Sequence, residues 1–249
     1  MKTLVLLALL CPAVTSQAFA GSATIPSRAL AVTQIQKLTN WEDTFDTATG
    51  TGSSTGQMRL ESSPSRSGDS REFVTTFTNY GGERYWVTFG DDTSSSNFVY
   101  DGWLYVARPS SGIANIEMDM NQVMSNGQTV IYGFQCDGYS GTWDYTENAG
   151  TPTAPVDHWV QSNAACNLQN WSQNAWHHVQ VSYSRDGYGN VTYQSVWLDG
   201  NQQQINATVP SAFALGWGPT LLTNFQVDSF VPGWSSSTVY LDGLTISRW

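Results

Sequence analysis

Ile116-Glu117-Met118-Asp119-Met120-Asn121 alternates three large apolar side chains with two carboxylates and an amide. Successive side chains of an extended chain point to opposite faces. The stretch therefore predicts a β-strand that sends Ile116, Met118 and Met120 into a core and lines Glu117, Asp119 and Asn121 along the other surface. At a rise of about 3.3 Å per residue, neighbours in that polar row stand about 6.6 Å apart, close enough to share a sugar, a cation or a proton. Only 12% of the chain is charged, so two acids committed to one face of one strand mark that face as a candidate site.

Working outward, the chain from Trp41 is a succession of short alternating segments separated by Gly, Ser, Asn, Asp and Pro. Strands are predicted over 73–77, 85–89, 102–107, 116–123, 129–135, 177–183, 191–198, 221–227 and 239–246. No segment carries a sustained helical period. Nine or more strands in roughly 210 residues fit one all-β sandwich or jelly roll of two antiparallel sheets over 41–249, rather than two domains. Residues 21–40 read as an N-terminal arm with one short helix over 29–38. Two polar stretches read as long loops, 47–70 and 137–166. The second carries Trp143, Tyr145, His158 and Trp159 between Cys136 and Cys166, and is the predicted ligand rim.

The first 20 residues read as a secretory signal: Lys2, an apolar run from Leu4 to Leu10, and Ala18-Phe19-Ala20 before Gly21. The run is too short to span a bilayer, and no later segment approaches 18 apolar residues. A secreted chain, extracellular or periplasmic, is expected, without membrane insertion. Its cleavage removes Cys11 and leaves Cys136 and Cys166, and an even pair in an oxidising compartment predicts a disulfide. Losing Lys2 takes the net charge from −10 to −11, and the remaining basic residues are scattered singly. No phosphate-binding patch forms from them, which argues against nucleic acid and anionic membranes as partners. Neutral polysaccharide or oligosaccharide fits best. The chain has 11 Trp and 11 Tyr, whose flat faces stack on sugar rings while their polar edges stay hydrated. A monomer is expected.

Two stretches resemble a known superfamily. Asn174-Ala175-Trp176-His177-His178-Val179-Gln180-Val181-Ser182-Tyr183, followed by Gly189-Asn190-Val191 and Val196-Trp197-Leu198-Asp199-Gly200, is similar to the W-H-H-V … G … L-Y-V-D-G hairpin of laminin G-like and other concanavalin A-like jelly rolls. Trp41-Glu42-Asp43-Thr44-Phe45 and Val239-Tyr240-Leu241-Asp242-Gly243-Leu244 resemble the first and last strands of that superfamily, which pair with each other there. The resemblance implies a concanavalin A-like β-sandwich. It does not choose among lectins, adhesion modules, glycoside hydrolases and polysaccharide lyases, all of which use this fold.

Among the laminarinase-like hydrolases of that fold a strand carries E-x-D-x-E or E-x-D-x-x-E, with the first Glu as nucleophile and the last as acid/base. Glu117 and Asp119 match the first two acids, but Asn121 and Gln122 stand where the acid/base would be. A retaining mechanism needs two carboxyl groups about 5–5.5 Å apart, and an amide cannot protonate a leaving group. Asp137, Asp144 or Glu147 would have to supply the acid. A lyase would instead use His158, His177, His178, Tyr139 or Tyr145 as base, with Arg84 or Arg108 neutralising the substrate. The two adjacent histidines face opposite ways on a strand and belong to the fold signature. No cofactor is expected, except that the resemblance implies a structural calcium between the first and last strands, with Asp43 and Asp242 at the matching positions. A solvated acidic edge is the alternative there.

These residues lead to one expectation with two alternatives. The expected protein is a secreted, lectin-like binder of neutral polysaccharide, with Glu117, Asp119, Asn121 and Gln122 on its concave sheet and Trp143, Tyr145, His158 and Trp159 above. The alternatives are a glycoside hydrolase on β-linked glucan with Glu117 as nucleophile, and a polysaccharide lyase or non-catalytic adhesion module.

Overall fold

Alternation of apolar and polar side chains continues through nearly every extended segment, and each such segment is a strand. The computed structural model describes residues 21–46 and 52–249. The leader expected over 1–20, Cys11 included, lies outside the described residues, as does the start of the predicted 47–70 loop. In chain order the strands are β1 (Leu30–Val32), β2 (Glu42–Phe45), β3 (Ser53–Glu61), β4 (Ser70–Thr78), β5 (Gly82–Gly90), β6 (Asn97–Val106), β7 (Ile113–Val123), β8 (Thr129–Tyr132) and β9 (Phe134–Asp137). They continue as β10 (Thr142–Asn148), β11 (Asp157–Ala165), β12 (Trp176–Arg185), β13 (Asn190–Leu198), β14 (Asn201–Pro210), β15 (Ala212–Phe213), β16 (Leu221–Ser229) and β17 (Ser235–Arg248).

The strands form two sheets. A back sheet runs β14-β13-β12-β6-β17-β4-β3, with β1 beside β17. A front sheet runs β11-β10-β9-β7-β16-β5-β2, with β8 between β7 and β15. All pairings are antiparallel, giving the β-sandwich expected from the sequence. The hairpin quoted for the resemblance is the β12–β13 pair, with Val179 opposite Leu198.

The core lies between the sheets. Ile116, Met118 and Met120 of β7 are fully buried there, with Tyr85 and Val87 of β5 and Phe225 and Val227 of β16 beside them. Burying each such side chain contributes about 1.5–3 kcal/mol. Phe73 of β4 reaches across from the back sheet, its ring 4.5 Å from Tyr85, 4.7 Å from Phe225 and 5.4 Å from Trp41.

Four local expectations are corrected. Residues 29–38 hold no α-helix: Leu30, Ala31 and Val32 pair with Arg248, Ser247 and Ile246, and a single 3-10 turn follows at Ile35–Lys37. Sheet pairing there outweighs helix propensity, which is a weak prior in a β-branched segment beside an open strand. The predicted 47–70 loop contains β3, an edge strand whose polar sequence hides its extended conformation. The predicted 137–166 loop is mostly the β10–β11 hairpin, in which Trp143 and Tyr145 turn inward. Finally, the first and last strands of the quoted motif do not pair: β2 lies against β5 and β17 against β4 and β6.

Cys136 of β9 is bonded to Cys166, just past β11. Thirty residues of separation give a stabilisation of about 3–4 kcal/mol through the entropy of the unfolded chain. At the far edge of the back sheet, β14 carries a bulge: the register shifts between Tyr193 and Ser195, and Asn206 has φ +52°.

Candidate functional site

The outer face of the front sheet is assembled by strand register. Gln135 and Gln226 lie on either side of Glu117, Asp144 lies beyond Gln135, and Arg84 and then Thr44 lie beyond Gln226. One polar side chain from each of six strands thus forms a row across the sheet. A second row places Asp119 beside Asn224 and Asn224 beside Trp86. The alternation that drives Phe225 and Val227 into the core leaves Asn224, Gln226 and Asp228 on this face, as it does Glu117 and Asp119 on β7.

Thr44, Arg84, Gln226 and Glu117 of the first row and Asp119, Asn224 and Trp86 of the second line a cleft of about 560 Å³. Trp86 from β5, Trp159 from β11 and Trp217 from the segment before β16 line it, with Leu215, Asp157 and Asn121. Trp217 is 41% exposed.

The floor is a dense hydrogen-bond network. The Gln226 side-chain N–H₂ has Glu117 Oε1 at 2.9 Å, Asp228 Oδ1 at 3.1 Å and Asp46 Oδ2 at 3.2 Å, so its two hydrogens are shared among three carboxylates. Arg84 donates from Nε to Gln226 Oε1 (3.0 Å) and from Nη2 to Asp46 Oδ1 (2.7 Å). Asn115 donates to Asp228 Oδ2 at 2.8 Å, and the Phe134 N–H to Asp119 Oδ1 at 3.0 Å. Asn121 Oδ1 is buried and has no hydrogen-bond partner in the protein.

Crowding acids beneath a cleft changes their protonation. Burial, then the charges of Asp228 and Asp119, push Glu117 well above the carboxylate range, and Glu117 shares a hydrogen bond with Asp228. Burial raises Asp228 to about 7, against the hydrogen bonds it accepts from Gln226 and Glu117. Burial raises Asp119 to about 7 as well, although the Phe134 N–H and Arg84 favour its anion. At neutral pH the cluster holds protons, so it can donate as well as accept hydrogen bonds.

Of the predicted site residues, the structure brings together Glu117, Asp119, Asn121 and Trp159. It places the others elsewhere. Gln122 has the parity of Met118 and Met120 and is fully buried, where it accepts from Tyr132 Oη (2.9 Å) and Arg185 Nε (2.7 Å). Trp143 is fully buried and stacked on Phe134 at 5.2 Å, so it is a core residue and not a rim platform. Tyr145 packs against Tyr193 in the same core. His158 is adjacent to Trp159, so its side chain turns from the cleft and bonds Glu147 (3.0 Å). The adjacent histidines do diverge: His177 bonds Asp199 (2.8 Å), whereas His178 bonds Asp101 (2.7 Å) and stacks on Trp103.

The residues matched to a calcium site do not fit one. Asp43 lies on the front sheet beside Glu83, whereas Asp242 is on the back sheet with its oxygens taken by N–H and O–H donors. Ser65 Oγ at 2.9 Å, Gln36 Nε2 at 3.0 Å and the N–H groups of Ser67 (3.0 Å) and Gly243 (2.7 Å) all donate to it. Burial would raise Asp242, but hydrogen bonds from the Ser67 hydroxyl, the Arg66 and Ser67 N–H groups and the Ser65 hydroxyl hold it below the usual carboxylate range. A hard cation needs six or more oxygen ligands with free lone pairs, and among the described residues no group of three or more His, Cys, Asp or Glu is placed to hold a metal.

The sequence reading missed Trp86, Trp217, Asn224, Gln226 and Asp228, and offered Arg84 only as the cation of a lyase, whereas the structure sets it in the cleft lining. The signal for three of them is the alternation within 221–228, the same pattern that marked 116–121.

No protein-family model matches the chain, and no curated protein does. Among solved structures it is similar to arcelin-5, a lectin-like defence protein from Phaseolus vulgaris, at 11% identity and TM-score 0.48, covering 89% of this chain and 98% of that one. It is similar to a cellulose-induced protein at 14% identity and TM-score 0.46, covering 86% and 96%. A carbohydrate-binding module of the β-sandwich superfamily matches at 8% identity and TM-score 0.44 over 84% of this chain, which spans 57% of that structure's length. At these identities the likeness is one of fold alone.

Proposed function

We propose that the protein is a secreted carbohydrate-binding protein that holds a neutral polysaccharide in the front-sheet cleft. One observation carries this reading: Trp86, Trp159 and Trp217, from three separate elements, converge on a floor made of hydrogen-bond donors and acceptors. Stacked rings recognise the apolar faces of a sugar, and the amides, Arg84 and the part-protonated acids match its hydroxyls. An unpaired acceptor such as Asn121 Oδ1 gains a partner from a sugar hydroxyl. The charge balance favours a neutral ligand, since Arg84 is already held by Asp46 and Gln226 while several acids face the cleft. The disulfide fits an oxidising compartment outside the cytoplasm.

Trp217→Ala tests this with little cost to folding, because the side chain is largely outside the core. Affinity for a neutral oligosaccharide, measured by calorimetry after a glycan array has identified it, is expected to fall at least about tenfold, the loss of about 1.4 kcal/mol. A wild-type protein that binds no neutral glycan on the array would sink the proposal.

Hydrolysis of a β-linked glucan is the second reading, and the protonated acids favour it, since a carboxyl with a raised pKa can act as general acid. Against it, Glu117 is engaged by both Gln226 and Asp228. Glu117→Gln is expected to leave glycan binding within about threefold, a change of about 0.6 kcal/mol. If wild type releases reducing ends, the same substitution abolishes that release; release that continues in the variant removes Glu117 from any mechanism.

A further inference from the structure

Four aromatic side chains stand in solvent where β16 leaves the front sheet. Tyr80 is 44% exposed, Tyr139 63%, Phe230 39% and Trp234 70%. They come from three turns, between β4 and β5, between β9 and β10, and between β16 and β17. The turns are tied to one another. Tyr139 Oη donates to the Ser229 carbonyl at 3.4 Å, the rings of Tyr139 and Phe230 meet edge to face at 6.4 Å, and the Tyr80 N–H donates to the Val231 carbonyl at 3.0 Å. The patch adjoins the cleft floor, because Asp228, hydrogen-bonded to Gln226 and Glu117, is only two residues from Phe230.

Tyr80 is held in a conformation its own backbone disfavours. Asn79 and Tyr80 have φ +48° and +64°, and the Gly81 N–H closes the turn on the Thr78 carbonyl at 3.0 Å. That is the sign pattern of a type I′ turn, which favours Asn and Gly at its centre. Asn79 suits it; a tyrosine does not, and strain of this kind persists where a site uses it. Neither turn preference nor burial accounts for a large ring here.

We propose that Tyr80, Tyr139, Phe230 and Trp234 form a second contact surface for carbohydrate, which lies against an insoluble neutral polysaccharide while one of its chains occupies the cleft. The inference rests on the cleft reading and specifies its ligand as an extended, solid-phase glycan. The chemistry of the patch supports that partner over a membrane: two of the four rings carry hydroxyls, the acid Asp137 lies near Tyr139, and Arg108, which lines a pocket with Phe230, is one basic residue, short of the basic cluster that anionic headgroups attract. Exposed aromatic groups in one patch mark a contact site, and this patch continues from a cleft that already presents three tryptophans.

The test uses the full chain and a Tyr80→Gly/Trp234→Ala double variant, with Tyr80→Gly alone as a folding control. Retention is measured on microcrystalline cellulose, insoluble β-1,3-glucan and chitin, beside calorimetry with soluble hexasaccharides of the same three polymers. Retention of the double variant on the solid that wild type prefers is expected to fall about tenfold, with hexasaccharide affinity changed less than about twofold. Tyr80→Gly alone is expected to weaken retention while its unfolding midpoint stays level or rises, because glycine relieves the positive φ. Unchanged retention in the double variant overturns the second surface and leaves the cleft reading intact. An equal loss for solid and soluble glycan also overturns it, since the rings would then belong to the cleft. Wild type that binds neither form overturns the cleft reading, and this inference with it.

Discussion

Raising the pH from about 4 to about 8 is expected to lower the unfolding free energy of this protein by several kcal/mol. The cause is the acid cluster under the cleft. In an unfolded chain Asp titrates near 3.9 and Glu near 4.3, whereas the folded protein raises Asp119 and Asp228 to about 7 and Glu117 above its usual range. Between those values the native state binds more protons than the unfolded state, so stability falls as pH rises. The stabilisation is fully present below pH 4 and is lost as pH passes through 7. At 1.36 kcal/mol per unit, Asp119 alone accounts for about 4 kcal/mol. Asp92 and Asp242, held low by hydrogen bonds from Ser95 and Ser67 among others, act oppositely and only at the acid end of the range. Urea unfolding at stepped pH checks this, with Asp228→Asn expected to flatten the slope by removing a like charge from Glu117. A wild-type curve that rises from pH 5 to pH 8 would show that the cluster is ionised in the native state.

Phe73→Ala should be the most damaging single change in the core, costing about 3–5 kcal/mol. Its ring joins the two sheets, touching Tyr85 and Phe225 of the front sheet and Trp41 beside them. Alanine would leave a cavity walled by three rings, two of them pinned, Tyr85 through a 2.8 Å hydrogen bond to Thr75 and Trp41 through Nε1 to the Ile35 carbonyl at 3.1 Å. Such walls cannot collapse, which places the cost at the upper end of the range. For a chain of this size the melting temperature would drop by roughly 10 °C. A loss below about 1 kcal/mol, well under that usual range, would mean that the sheets close over the gap.

What was legible in the sequence was whatever alternates. Residues 116–121 disclosed both faces of β7, the same pattern disclosed β12 and β13 as strands, and the superfamily resemblance implied that these two form a hairpin. Three kinds of information were hidden. Edge strands such as β3 read as loops, because a strand paired on one side needs little apolar content. Side-chain parity was readable but misapplied at Gln122, which shares the buried face of Met120 and closes a network with Tyr132 and Arg185. The partners of Glu117 were out of reach: Gln226 and Arg84 become its neighbours only through the register of β16 and β5, and register depends on pairing over more than a hundred residues. Trp143 shows the converse error, since an aromatic between two cysteines looked like a rim and proved to be the packing beneath the disulfide.

The bulge in β14 has a consequence for how the molecule behaves at high concentration. β14 is an outer strand of ten residues without a single charge, and its edge, unpaired among the described residues, could template a strand from a second molecule. Asn206, turned to φ +52°, breaks that edge into 201–204 and 207–210, each shorter than the five to six residues of an ordinary strand, and Pro210 removes a donor from the second piece. One asparagine turned to positive φ therefore shortens the straight edge on which a second copy could pair, the purpose that charged side chains serve on other edge strands.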